Sequence, residues 1–272
     1  MKSLTLKSRL FQIFEPLICL SAAIKTINRN VKRIKLEPEC ALLNRFVKQG
    51  DVCFDVGAGY GRIAYVLSKL IGPSGRVYCF EPGRFSFRVL SIVKGVQRLR
   101  NLIMMKLALS DKEFVSQMII PVKDGNKKPG PSLAYLNLVV RMPEAYIIQD
   151  NVACLSLDEF VTRKGISRLD FLKCDVEGAE LLFLKGARST LRVLKPVLLM
   201  EVDPKLLARF GVGGGDVFQF LKETGYSAFL ADGQSLRRVD SCRENEVNYF
   251  FFPADSNALS ARADTKTGFT NL

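Results

Sequence analysis

Three short stretches of this chain set carboxylates beside glycine at the ends of apolar runs. The first is Asp55-Val56-Gly57-Ala58-Gly59-Tyr60-Gly61. Its glycines permit a tight turn and let the backbone approach a ligand with no Cβ in the way. The second is Phe80-Glu81-Pro82, where Glu81 closes the next apolar run, 26 residues after Asp55. A carboxylate there is placed to accept both hydroxyls of a ribose. The third is Lys173-Cys174-Asp175-Val176-Glu177-Gly178, where two carboxylates leave a buried run just before a helix. Asp175 and Glu177 could act on a proton, yet a carboxylate near a helix N-terminus is also explained by capping alone.

The loop spacing separates two cofactor classes. A dinucleotide loop reads G-x-G-x-x-G and lays its diphosphate on a helix N-terminus. Here the spacing is G-x-G-x-G, and Asp55 stands at the entrance. That setting suits a cationic amino-acid moiety better than a diphosphate. S-adenosyl-L-methionine, with an ammonium, a sulfonium, a ribose and no phosphate, fits the loop and Glu81 together.

These residues need a scaffold that brings strand ends to one edge. Apolar runs at 52–56, 76–80, 102–109, 169–174, 197–202, 226–230 and 247–252 read as strands, with 114–121 an extra one. Helical patterns lie between them at 62–70, 85–96, 179–191 and 217–224. The alternation predicts an α/β fold with a Rossmann-like, doubly wound, mainly parallel seven-stranded sheet. The closing pair of strands is expected to form an antiparallel edge hairpin around Asp232-Gly233. Residues 122–150, with Lys123, Lys127, Lys128 and Gly130-Pro131-Ser132, read as an irregular insertion facing a substrate, or as a solvent loop.

Histidine is absent, which removes Ser–His and Cys–His nucleophiles and His-ligated metals. The seven cysteines show no C-x-x-C pair and no disulfide framework, so a reducing, cytoplasmic compartment is expected, with no metal site. No apolar run is long enough for a membrane span. The balance is basic, +13 overall, which points to an anionic partner: nucleic acid, an acidic lipid surface or a phosphorylated substrate. Residues 1–36 form an amphipathic helical pattern with eight Lys and Arg against Glu15. It reads as a cap over the domain, or as a helix lying peripherally on an anionic membrane surface.

The chain resembles the FkbM family of methyltransferases. The resemblance rests on residues 55–61, Phe80-Glu81-Pro82, Ala108-Leu109-Ser110 and Leu169-Asp-Phe-Leu-Lys-Cys-Asp-Val-Glu-Gly-Ala-Glu180, and continues through Leu184-Lys-Gly-Ala187 and Pro196-Val-Leu-Leu-Met-Glu201. It departs from the family at Gly59, where Asn is more usual. The resemblance implies transfer of a methyl group from S-adenosyl-L-methionine, usually to a hydroxyl on an acceptor. Carried over by position, Asp55, Gly57, Ala58, Gly59, Tyr60 and Gly61 would surround the methionine part. Glu81, beside Pro82, would bind the ribose, and Ala108, Leu109 and Ser110 would border the adenine. Asp175 would face the methyl. Asp175 is then the first candidate base and Glu177 the second, with Lys173 or Glu201 orienting them. The expected organisation is an N-terminal basic helical segment (1–40), a methyltransferase domain (41–253) and a tail without ordered structure (254–272). Two rival readings stay open: an RNA 2′-O-methyltransferase, whose Lys-Asp-Lys-Glu set is incomplete here, and a non-catalytic binding protein on the same scaffold.

Overall fold

Short apolar strands alternating with amphipathic helices resolve into two sheets in the computed structural model, which describes residues 6–32, 38–123, 128–129, 134–138, 146–233 and 235–254. The long α1 (Leu6–Lys32) and short α2 (Leu43–Phe46) precede β1 (Val52–Val56), α3 (Arg62–Ile71), β2 (Arg76–Phe80), α4 (Arg84–Val96) and β3 (Leu102–Met105). Next come β4 (Ala108–Ser110), β5 (Phe114–Lys123), β6 (Lys128–Pro129), β7 (Tyr135–Leu136) and β8 (Tyr146–Ser156). The chain continues through α5 (Leu157–Lys164), β9 (Phe171–Cys174), α6 (Glu180–Lys185), α7 (Arg188–Leu194) and β10 (Val197–Glu201). It closes with α8 (Pro204–Leu207), α9 (Gly214–Glu223), β11 (Tyr226–Asp232), β12 (Ser235–Val239) and β13 (Asn248–Pro253).

The main sheet runs β12-β11-β13-β10-β9-β1-β2-β3. β3, β2, β1, β9 and β10 are parallel, and β13 enters antiparallel between β10 and β11. Helices cover both faces, so the central strands are apolar on both sides. Phe54, Leu172 and Phe251 pack into one cluster, while their neighbours Cys53, Phe171 and Phe250 pack into the other. Strand order reverses between β1 and β9, and in such sheets ligands bind at the carboxyl ends of the strands at that point.

Several expectations change in detail. The sheet has eight strands rather than seven, because the hairpin about Asp232-Gly233 is β11–β12 and adds an edge strand of its own. The apolar run at 102–109 is two strands in different sheets, broken at Lys106-Leu107. The helix expected over 179–191 is divided at Gly186-Ala187 into α6 and α7. Within 122–150, read as irregular, the end of β5, the short β6 and β7 and the start of β8 belong to the second sheet, ordered β4-β8-β5-β6 with β7 beside β5. β8 escapes sequence reading because Gln149-Asp150-Asn151 interrupt its apolar pattern, and its partner β5 is distant in sequence. Lys127, Gly130-Pro131-Ser132, and the tail beyond Ala254 lie outside the described residues, as do the side chains of Lys123 and Lys128.

α1 caps the domain. Cys19 and Ala23 pack with Phe85, Val89 and Val93 of α4, and with Tyr60 of the glycine loop. Glu15, the only acid on α1, is buried and accepts hydrogen bonds from Arg84 (3.1 Å) and Arg88 (2.9 Å). Asn30 donates to Gln97 at 3.0 Å. Both arginines stay partly solvated, which limits the value of the pairing. Glu15→Ala is expected to lower unfolding stability by about 1–2 kcal/mol in urea titration.

Candidate active site

Each candidate side chain is set by the end of a strand. Gly57 leaves β1 with φ +74°, and a Cβ there would lie 1.7 Å from the Asp175 carbonyl oxygen. Only glycine lets the loop pass so close to the end of β9. The Gly57 and Ala58 N–H groups both donate to the Phe80 carbonyl at 3.0 Å, hooking the loop over the end of β2. Gly59 has φ +53° with nothing within 4 Å of where its Cβ would stand, so this part of the backbone borders open space.

Glu81 joins the two glycine segments. Its carboxylate accepts from Gly59 N–H and Gly83 N–H, each at 2.8 Å. Burial pushes its carboxyl up to about 7, and the two N–H donors oppose that shift. Each oxygen retains a further acceptor position.

At the end of β9, Lys173 is buried and donates to Asp175 (2.9 Å) and to the Gly57 carbonyl (3.3 Å). It also lies 3.9 Å from Asp55. Parallel pairing of β1 with β9 puts Asp55 opposite Lys173, which makes this pairing a matter of register. Glu180 is buried and accepts from Val176 N–H (3.1 Å) and Gly178 N–H (3.2 Å), fixing the turn that carries Glu177. Glu177 itself adopts φ +57°, rare for a residue with a side chain. Burial, then the charge of Asp175, raises its carboxyl to about 7. Glu201, at the end of β10, is raised much further by burial, by the charges of Asp175, Glu177 and Glu180, and by a hydrogen bond with Asp175. At neutral pH Glu201 is therefore the protonated partner, donating to Asp175.

A cleft of about 720 Å³, counting its open mouth, lies at this edge. Gly57, Gly59, Glu81, Pro82, Ala108, Leu109, Asp175 and Glu177 line it, all of them singled out by sequence. Ala58, Tyr60, Gly61, Ser110, Asp55 and Lys173 do not. Asp55 is fully buried within β1, facing Lys173 rather than the loop mouth. Tyr60 turns toward α1 and Phe85.

Sequence reading missed Leu107, Met118, Tyr135 and Leu136, which complete the apolar wall. Tyr135 is buried beneath the Arg209 guanidinium, 5.0 Å from its ring centroid. The two-residue β7 that carries it has no periodicity to reveal it. The lining suits a cationic nucleoside: carboxylates at two strand ends, Glu81 after β2 and Asp175 with Glu177 after β9, the first of them placed for vicinal hydroxyls, and apolar walls.

A parallel sheet with this cleft at its reversal point defines the Rossmann-like fold of the class I methyltransferases. Residues 55–228 match the methyltransferase FkbM domain, and the chain belongs to that family. That family is one of methyltransferases. Among solved structures it is similar to the methyltransferase FkbM from Methylobacillus flagellatus KT, with 15% identity and TM-score 0.47 over 86% of this chain and 58% of that one. It thus spans less than two thirds of that relative's length. A SAM-dependent methyltransferase from Aquifex aeolicus is similar at 16% identity and TM-score 0.44, over 79% of this chain and 88% of that one. Aeropyrum pernix fibrillarin, solved with bound S-adenosyl-L-methionine, is similar at 16% identity and TM-score 0.42, over 78% and 72%. No curated protein matches the chain.

Proposed function

We propose that the enzyme methylates a hydroxyl on a small-molecule, sugar or lipid acceptor, with Glu177 taking the hydroxyl proton. The supporting observation is a cleft-lining carboxyl held by a left-handed turn and raised to about 7. A base performs best with a pKa near the working pH. This favours Glu177 over Asp175 as the proton acceptor. Asp175 is already engaged by Lys173, which donates to it at 2.9 Å, and by Glu201. Its role is to present a fixed negative charge beside the reacting atoms.

S-adenosyl-L-methionine supplies an electrophilic methyl on a sulfonium. The Gly57–Gly59 backbone and Asp175 would hold its amino-acid part, and Glu81 its ribose hydroxyls. Pro82, Ala108 and Leu109 would flank the base. Lys173 fixes Asp175 and the loop together, while the neutral state of Glu201 keeps three close carboxyls from repelling one another. Positioning of an in-line displacement is the main contribution such a site can make.

Glu81→Ala is expected to weaken S-adenosyl-L-methionine binding about 100-fold by calorimetry, because it leaves two N–H groups without their acceptor and removes the hydroxyl contact. An unchanged affinity would remove Glu81 from the cofactor site. The reading as a whole is tested by methyl transfer to a panel of hydroxyl, amine and carboxylate acceptors. Products methylated only on nitrogen or carboxyl oxygen would overturn it.

A further inference from the structure

We propose that the outer face of α1 is a docking surface for an anionic lipid bilayer. The inner face of the helix, with Cys19, Ala23, Thr26 and Asn30 all buried, packs on α4 and Tyr60 through Cys19 and Ala23 and bonds Gln97 through Asn30. A second face, about 120° round the helix from the buried one, leaves large aliphatic side chains in water: Leu17 is 65% exposed, Leu20 46%, Ile24 51% and Val31 67%. At 3.6 residues per turn these four fall within an arc of about 60°. Lys25, Arg29 and Lys32, all exposed, occupy the adjoining arc.

The charge on this face is of one sign for a structural reason. Glu15, the helix's single acid, is turned inward onto Arg84 and Arg88. What remains outside is an aliphatic stripe flanked by cations, the composition that lies in the headgroup boundary of an anionic leaflet. No described helix is long and apolar enough to cross a membrane, so the contact is with the surface.

Two other occupants fit less well. A symmetric pairing of two copies would bring Lys25, Arg29 and Lys32 near their own counterparts on a chain already carrying +13. Nucleic acid would use the cations but has no use for four exposed aliphatics. Docking also has a geometric consequence. α1 packs on α4, which starts directly after Glu81, Pro82 and Gly83, so the cleft is held at a fixed position relative to the bilayer.

The test is flotation of the full-length chain with vesicles of phosphatidylcholine plus phosphatidylglycerol, and with phosphatidylcholine alone. Two variants are compared with wild type: Leu17→Ser/Leu20→Ser/Ile24→Ser/Val31→Ser, and Lys25→Glu/Arg29→Glu/Lys32→Glu. Wild type is expected to float with the anionic vesicles and to bind phosphatidylcholine at least about tenfold more weakly. Each variant should lose at least about tenfold in partitioning while keeping its S-adenosyl-L-methionine affinity, since these side chains are exposed and none of them lines the cleft. If the serine variant does not fold, the charge variant carries the comparison. Failure of wild type to float, or flotation of both variants like wild type, would overturn the proposal. So would a wild-type dimer that the serine substitutions dissociate, or RNA binding lost only in the charge variant with no vesicle binding. None of these outcomes depends on the methyl acceptor.

Discussion

Glu177→Gln is expected to lower turnover about 100- to 10,000-fold while leaving S-adenosyl-L-methionine affinity within about threefold of wild type. The amide keeps the shape of the side chain but cannot take a proton. The turn should survive, because Glu180 rather than Glu177 accepts from the Val176 and Gly178 N–H groups. The sign of the pH effect follows from the raised carboxyl. A base must be ionised, so wild-type turnover should rise as pH increases through about 7 and level off above it. The variant should lose that limb. Stability supplies an independent check. A carboxyl raised in the fold contributes stability at low pH that is lost as pH rises through its folded value. At pH above about 7 the Gln variant should therefore unfold in urea no earlier than wild type. Wild-type turnover in the variant, or an unchanged pH profile, would exclude Glu177 as the base.

Asp175→Asn is expected to slow turnover by about 100-fold or more, through a different route. Lys173 loses its closest anionic partner, at 2.9 Å, and is left with Asp55 at 3.9 Å. Glu201 stays raised by burial and by the charges of Glu177 and Glu180, but loses the charge and the hydrogen bond that Asp175 adds. Cofactor binding should persist, since Glu81 and the glycine backbone are untouched. A cycle with Lys173→Met should be strongly non-additive, because the two groups form one unit. Steady-state kinetics and calorimetry on the four proteins read both effects. Additive losses would mean that Lys173 does not act through Asp175.

Much of this site is legible in the linear chain because its parts are local. A glycine loop after an apolar run, an acid closing the next run, and a Lys-x-Asp-x-Glu-Gly stretch are all strand-end features. Their carboxyl-end position follows once the strands are read as parallel. The helical character of the N-terminal segment is legible in the same way, from side-chain period alone.

What remained hidden depends on pairing at a distance. The sequence could not show that residues 102–109 divide between two sheets, or that β8 pairs with β5, because hydrogen-bond partners remote in sequence decide both. Nor could it show that Tyr135 and Leu136, on a two-residue strand, form a wall of the cleft. Asp55 is the clearest case. Its place at the loop entrance is visible in the sequence, but its direction is not. Strand alternation and the β1–β9 register turn it onto Lys173, away from the cleft.

The fold class, a nucleoside-type cofactor and the carboxylates at the strand ends can be read from the linear chain, because each rests on a local pattern. Their surroundings come from the tertiary structure. Burial and the charges of neighbours raise Glu177 and Glu201, and those neighbours are brought together from β9, β10 and the turn after β9. The same holds for α1. Its period marks it as amphipathic, but only packing on α4 shows which face is spent and which is left to meet a partner.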